Sequence, residues 1–467
     1  MLAHGRSQVR LRLSALIGIA AAIAAVPVAA EARALRFSDA DGIHVVSVKQ
    51  LDARLVALTV KTAALPGPAN IRILLPAGYA RNSRSRYPVL YLLHGTSGGA
   101  SDWTTEGAAE QTTAGQPLIV VMPDIALNDD GGGWCTNWPD GLYKWETFHV
   151  EQLIPWVDRN LRTIAARAGR AIAGLSQGGF CSMSYAARHP DLFSLALSYS
   201  GAPDIAYDQD AHAGAMFVIN ATEVALDGVP PNSMFGDPTT DEVNWAAHDP
   251  ATLATNLRST NLSLYWGNGQ PGPYDGVSTS AGAVAIEAAV WRDNHDFQSR
   301  LQALGIPAQF DDYGPGTHTW PYWARDLRWS IGTVMADFTH PPPSPRAVTY
   351  TSADARYSVY GWAVSMHRAA REFSTLEHAT TRGFAIAGSG SATVLTPPSY
   401  RPGTRYRVSL SGPHAAGARV VRAGPDRRLR FAVPIGPSNP YQQYTAQSQA
   451  AGTAVYTTAV TISKVAR

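Results

Sequence analysis

The sequence predicts an α/β domain followed by a smaller all-β domain, and three observations carry the prediction. Short apolar runs alternate with helix-compatible stretches over most of the chain. One run, Arg170 to Leu175, enters the turn Gly174-Leu175-Ser176-Gln177-Gly178. Beyond Pro341-Pro342-Pro343-Ser344-Pro345 the pattern changes to brief alternating runs separated by Gly and Pro.

In chain order, Arg6, Arg10 and Arg12 precede an uncharged stretch from Leu13 to Ala30 that ends in the small residues Val28-Ala29-Ala30. Residues 1–34 therefore read as a secretory signal peptide, which implies a secreted or cell-envelope protein. Pro27 and the Ala-rich exit favour cleavage over retention as an anchor. The α/β domain is expected over 35–340, a stiff proline spacer over 341–346, and a small β-sandwich-like domain over 347–467.

Within the α/β domain the expected strands are Ala69 to Leu75, Val89 to Leu93, Pro117 to Met122, the run entering the turn, Ser194 to Ser200, Gly214 to Ile219, Leu262 to Trp266 and Ala308 to Tyr313. Phe148, Leu153, Ile154, Trp156, Val157 and Leu161 recur at helical spacing, so Trp145 to Leu161 reads as a helix. The segment Asn220 to Asn261, rich in Pro, Gly, Asp and Thr, reads as an excursion over the sheet edge. In the tail, Tyr357 to Trp362, Ala392 to Leu395, Tyr406 to Leu410, Leu429 to Val433 and Ala454 to Ile462 read as strands.

The net charge of +2 conceals an asymmetry. From Arg346 onward there are 15 Lys or Arg against 4 Asp or Glu. This basic tail suits docking on an anionic cell-wall polymer, or is simply a basic domain; no nucleic-acid partner is expected. Cys135 and Cys181 are the only cysteines, which excludes a disulfide-rich scaffold and a four-thiolate metal site. For Cys181, five residues past Ser176, a small buried thiol is the plainer reading and a bridge to Cys135 the other. No phosphate-cradling Gly-Lys loop, dinucleotide glycine pattern or His-x-x-x-His helix pair is present, so neither metal nor organic cofactor is expected.

The Gly174 to Gly178 turn has the form of a nucleophile elbow, with Ser176 exposed between strand and helix and its hydroxyl available to an acyl carbon. An α/β-hydrolase sheet places the acid and then the histidine after the serine. Of His189, His212, His248, His295, His318 and His340, His318 is preferred, because Gly314 to Trp320 is a tight loop directly after an expected strand. For the acid, Asp275 lies in a loop after Leu262 to Trp266 and Glu287 in a helix-like stretch, so loop position favours Asp275. The oxyanion donors are expected at the backbone N–H groups of Gln177 and Thr96, the latter in the glycine-rich loop His94 to Gly99.

Tyr143-Lys144-Trp145-Glu146-Thr147-Phe148, Gly174-Leu175-Ser176, Tyr265 with Gly267-Asn268-Gly269, and Gly316-Thr317-His318 with Trp320, Tyr322 and Trp323 resemble the esterase D-type α/β-hydrolases. Within them the match is strongest to the antigen 85 mycolyltransferases, over about Ala69 to Phe338 and not over the tail. The resemblance implies that the acid is a glutamate about ten residues before a Phe-Gln pair. Glu287 stands so before Phe297-Gln298, which reverses the preference for Asp275. It also implies a sugar-stacking tryptophan, Trp320. That family has an aspartate before the oxyanion-loop glycine and an arginine after it, both holding trehalose. This chain has His94 there, the residue left to face substrate, followed by Ser97, Gly98 and Gly99. The family's paired cysteines before the Lys-Trp-Glu motif are reduced to Cys135, so that bridge is expected to be absent.

These readings converge on a secreted serine acyltransferase or esterase. It would take a fatty acyl ester and pass the acyl group to a sugar, glycerol or water. The alternatives are a simple carboxylesterase and a non-catalytic envelope or matrix-binding protein, since the antigen 85 family includes members without catalytic residues. Contact of the loop Trp134 to Trp145 with a bilayer competes with burial of its aromatics.

Overall fold

The computed structural model describes residues 35–81, 84–127, 131–276 and 279–465. The leader expected over 1–34 lies outside the described residues. Nine strands form the principal sheet: β1 (Ile43–Gln50), β2 (Leu55–Thr62), β3 (Ala69–Leu74), β4 (Val89–Leu93), β5 (Ile119–Pro123), β6 (Arg170–Leu175), β7 (Leu195–Tyr199), β8 (Asn261–Trp266) and β9 (Gln309–Asp312). Their spatial order is β1-β2-β3-β5-β4-β6-β7-β8-β9. β1, β2, β3 and β5 pair antiparallel, and the remaining neighbours pair parallel. Every residue of β4, β5, β6 and β7 is buried, as expected for parallel strands covered on both faces.

Five helices matter for the site: α1 (Ile154–Asn160), α2 (Gln177–Arg188), α3 (Gln209–Thr222), α4 (Ala281–Ala303) and α5 (Trp320–Thr339). One face of the sheet packs Leu92, Ala171, Ala173, Leu175 and Leu197 against Trp103 and the α5 residues Trp323, Leu327 and Val334. Truncating a fully buried leucine here, such as Leu197, costs about 2–5 kcal/mol.

Several expected elements are corrected. Gly214 to Ile219 is not a strand but the middle of α3. Asp208 caps that helix, its carboxylate accepting from the N–H groups of Asp210 and Ala211. A six-residue apolar run cannot by periodicity alone be told from a buried helix turn. The helix expected over 145–161 is present over 145–160, with a π-helical turn at Thr147–Leu153 that leads into α1. Cys181 is not a free thiol: it is bonded to Cys135 at a Cα–Cα distance of 5.6 Å. The bridge fastens the loop after β5 to α2. In that loop Trp134, Trp138 and Trp145 are buried, so their rings are core and not a bilayer contact.

Among the described residues, ten strands follow Arg346. β10 (Val348–Ser352), β13 (Ser374–Thr380), β14 (Gly383–Gly388), β19 (Tyr456–Lys464), β16 (Arg405–Gly412) and β17 (Ala415–Arg422) form one sheet in that order. β11 (Arg356–Val359), β12 (Trp362–His367), β15 (Gly390–Leu395) and β18 (Arg430–Gly436) form the other. Tyr357 to Trp362 is therefore no single strand; it turns at Tyr360-Gly361, both at positive φ, and pairs with itself as a hairpin. Leu376, Ile386 and Val408 from the first sheet meet Val364, Val394 and Val433 from the second in one core.

Residues 36–467 are one compact unit. Arg188, the last residue of α2, grips Glu146 at 2.7 and 3.0 Å and Asp354 of the tail at 3.0 Å. Tyr350 donates its hydroxyl to the Arg188 carbonyl at 2.6 Å. Burial pushes the Glu146 carboxyl up, but the Arg188 charge and the His189 hydrogen bond outweigh it and hold the group well below its ordinary value. The glutamate of the Lys144-Trp145-Glu146 segment is thus structural, joining the α/β and all-β parts.

Candidate active site

β6 ends at Leu175 and α2 begins at Gln177, so the chain reverses within one residue. Ser176 has φ +52° and ψ −123°, a strained conformation for a residue with a side chain. The glycines on either side permit the reversal. A Cβ on Gly174 would overlap the Gly178 carbonyl, and one on Gly178 would overlap the His94 carbonyl. Ser176 stands at the helix N-terminus, where the dipole and unbonded N–H groups favour developing negative charge.

His318 is brought to this serine by the loop after β9. Its Nε2 lies 2.8 Å from Ser176 Oγ and its Nδ1 2.7 Å from Glu287 Oε2. Glu287, on α4, is 0% exposed and His318 8% exposed. The carboxylate accepts three bonds: from His318, from the Ser200 hydroxyl at 2.8 Å and from the Gly267 N–H at 2.7 Å. Because a carboxylate can only accept here, His318 Nδ1 carries a proton and Nε2 is free to accept the serine proton. The arrangement can generate a serine nucleophile.

Asp275 is not the partner of His318. Its Oδ1 accepts from the Thr317 hydroxyl, and its Oδ2 from Tyr322 Oη at 2.7 Å and Gly272 N–H at 2.7 Å. It braces the residue before the histidine. The Gly267-Asn268-Gly269 segment does the same from the other side, with Asn268 and Gly269 donating to the carbonyls of Gly314 and Gly316 at 2.8 and 2.9 Å.

Gln177 is the first residue of α2, so its N–H has no carbonyl one turn earlier within the helix. Its side-chain Nε2 reaches Thr96 Oγ1 at 3.4 Å, linking the two residues whose backbone N–H groups are the expected oxyanion donors, and the Gly131 carbonyl at 3.2 Å. His94 is corrected from substrate contact to scaffold. It is 1% exposed, its Nδ1 donates to the Gly95 carbonyl at 2.7 Å, and its Nε2 accepts the Ile125 N–H at 2.9 Å. Both ring nitrogens are thereby committed to shaping the loop. Asp124 completes that support by accepting from Ala100 and Asn70 N–H; burial raises its carboxyl above the ordinary value.

Trp320 is half-buried, edge-on to Trp103 and to Trp323, each at 5.3 Å between centroids. Trp323 in turn meets the His318 ring at 4.9 Å. The three indoles form an aromatic wall running from the base. Ser200 was not anticipated from the sequence. It has φ +48°, directly after β7, and its only local signal is the following Gly201. A 400 Å³ cavity near Leu195, Asn261 and Gln309 lies at the N-terminal ends of β7, β8 and β9, opposite the serine.

The family model described as "Putative esterase" matches residues 62–331. Esterase Rv1288 of Mycobacterium tuberculosis is 33% identical over 291 residues, covering 60% of this chain and 59% of that protein. Diacylglycerol acyltransferase/mycolyltransferase Ag85B of Mycolicibacterium smegmatis is 31% identical over 248 residues, covering 51% of this chain and 74% of its own. Among solved structures, Mycobacterium tuberculosis MPT51 superposes with a TM-score of 0.50 at 26% identity, covering 62% of this chain and 98% of that one. The chain thus spans 59% of the length of the first of these relatives.

Proposed function

The chain belongs to this esterase family and is antigen 85-like within it, and from that premise we propose that it is a secreted serine acyltransferase or carboxylesterase working through an acyl-enzyme on Ser176. The observation that carries the reading is the continuous relay from Ser176 Oγ through His318 to Glu287.

The steps follow from that geometry. Ser176 Oγ attacks the acyl carbon as its proton passes to His318 Nε2, and Glu287 stabilises the imidazolium. The oxyanion is held by the N–H groups of Gln177 and Thr96; one such donor contributes about 3 kcal/mol. The tetrahedral intermediate collapses, the leaving alkoxide takes the proton from His318, and the acyl group remains on Ser176. A hydroxyl acceptor, activated in turn by His318, then removes it. Water as acceptor makes the protein an esterase; a sugar or glycerol hydroxyl makes it a transferase.

A lipid or fatty acyl donor is supported by an apolar ridge beside the site. Phe217, Val218, Val224 and Leu226 are exposed on α3 and the π-helical turn after it, more apolar surface than a solvated helix needs. The ridge adjoins the loop that Gln177 holds, since Asp227 accepts the Gly132 N–H at 3.4 Å. Trehalose is disfavoured, because His94 stands in place of the family's aspartate and faces inward, and Ser97, Gly98 and Gly99 beyond it carry no charge. The basic tail, with Arg405, Arg407, Arg419 and Arg422 on the paired strands β16 and β17, suits an anionic cell-wall polymer.

The test is turnover of p-nitrophenyl esters of rising chain length, with and without glycerol, trehalose and other polyols, products resolved by mass. Acyl-polyol products mark a transferase and free acid alone an esterase. No turnover of any ester by the folded protein would contradict both.

A further inference from the structure

We infer that the open cleft between α3 and the C-terminal strands is a binding site for a neutral carbohydrate chain, separate from the catalytic serine.

The cleft has a volume of about 830 Å³, within the range of pockets that hold small ligands. Tyr207, His212 and Glu242 supply one wall from the α/β part; Phe373, Gln443 and Tyr444 supply the other from the tail. It is remote from the chemistry. Arg300 lines it at the far end of α4 from Glu287, thirteen residues and so about 20 Å along the helix.

The chemistry of the lining selects the ligand class. Tyr207 is 50% exposed and Tyr444 39% exposed, so two rings offer faces to a bound molecule. The Arg300 guanidinium covers one face of Tyr207 at 4.5 Å and leaves the other. Tyr444 has φ +73°, a strained backbone that its surroundings hold in place beside Phe373. His212 and Glu242 match each other within the cleft, while Arg300 meets the Ala251 carbonyl at 3.4 Å and the Tyr207 ring. His212 Nδ1 donates to the Ile205 carbonyl at 2.6 Å, and its Nε2 meets Glu242 at 3.0 Å, so the ring is held between two acceptors. Burial lowers the imidazole, but the Glu242 and Ile205 hydrogen bonds overcome it and raise it. Gln443 is fixed by its Oε1, which accepts the Phe373 N–H at 2.7 Å, leaving two amide donors. Ring faces for C–H surfaces, amides and hydroxyls for the edges, the mutually paired His212 and Glu242, and an Arg300 stacked on Tyr207 fit a polyhydroxylated, uncharged chain. A lipid would leave these polar groups unpaired, and an anionic polymer would meet the Glu242 carboxylate and find Arg300 already stacked on Tyr207.

Both walls are needed, and the contacts that hold them together are in place. Arg371 donates to Asn244 Oδ1 at 2.7 Å and Gln442 to the Thr240 carbonyl at 3.1 Å. The site therefore gives the tail a task beyond its charge.

The test is titration calorimetry of the full chain carrying Ser176→Ala, which blocks turnover, with maltotetraose, cellotetraose and xylotetraose, and with polygalacturonate as the charged comparison. At least one neutral tetrasaccharide is expected to bind. Tyr207→Ala, at an exposed ring whose loss leaves the core intact, and Tyr444→Ala are each expected to weaken it tenfold or more. In chains that keep Ser176, both are expected to leave p-nitrophenyl acetate turnover within twofold. No binding of any neutral oligosaccharide, binding of polygalacturonate alone, or binding indifferent to both substitutions overturns the inference. The reading of Ser176 stands or falls on ester turnover, a separate measurement.

Discussion

Ser200 donates its hydroxyl to Glu287 Oε1 at 2.8 Å from a backbone at φ +48°, close to the +52° of Ser176 one strand away. Both serines directly follow a parallel strand, and each donates its N–H to the next strand, Ser176 to Tyr199 and Ser200 to Tyr265. One strained serine carries the hydroxyl facing the base; the other holds the acid that orients the base.

This relationship sets two graded effects. Glu287→Gln keeps the shape but removes the charge and the acceptor that fix the His318 tautomer, so kcat is expected to fall about 10⁴-fold. Ser200→Ala removes one of three donors to the carboxylate. A hydrogen bond to a charged group contributes about 1.5–3 kcal/mol, so kcat should fall about 10- to 100-fold with KM little changed. Steady-state kinetics on a soluble ester, with circular dichroism to confirm folding, checks both.

Asp275→Asn separates the two acids. Asp275 braces Thr317, Tyr322 and Gly272 without touching His318, so the substitution should lower kcat by less than about tenfold, three decades short of Glu287→Gln. Equal losses at the two positions would reverse the assignment.

The Cys135–Cys181 bridge closes a sequence separation of 46 residues and ties the tryptophan-bearing loop to the elbow helix. Replacing both cysteines with alanine is expected to cost about 2–4 kcal/mol, read as a shift of the urea midpoint. Dithiothreitol should shift the parent protein likewise and leave the double variant unmoved.

Glu146 gives the joint between the two parts a direction in pH. Its carboxyl lies well below its ordinary value of 4.5 in the folded chain, so on acidification the unfolded chain takes up the proton first. The stabilisation is therefore complete above about 4.5 and lost as pH falls below it. Urea midpoints should drop steeply below that pH in the parent. Glu146→Gln should be destabilised by about 1.5–3 kcal/mol at neutral pH, having removed one of the two carboxylates that Arg188 holds, and should show a flatter acid limb.

What the sequence made legible follows from how local each signal is. β4 is bounded by Val89 and Leu93 as expected, because a fully buried parallel strand is a continuous apolar run. The elbow and the order serine, acid, histidine were readable because one strand-turn-helix imposes its glycines locally. Choosing Glu287 over Asp275 was not local: both precede His318, and only the fold brings α4 under the imidazole. His94 misled because its position in the loop says nothing about direction, and the ring turns inward to Gly95 and Ile125. β1 is not marked by a continuous apolar run, because it is an edge strand with five consecutive exposed residues. The cysteine bridge joins a loop to a helix across 46 positions, a distance on which sequence spacing is silent.

The most direct test of the central claim is intact-protein mass spectrometry with peptide mapping after a fluorophosphonate or a slow acyl ester is added to the parent chain and to Ser176→Ala. One adduct on the peptide bearing Ser176, absent from the variant, is the expected result. An adduct on another residue, or one that persists in Ser176→Ala, would contradict it.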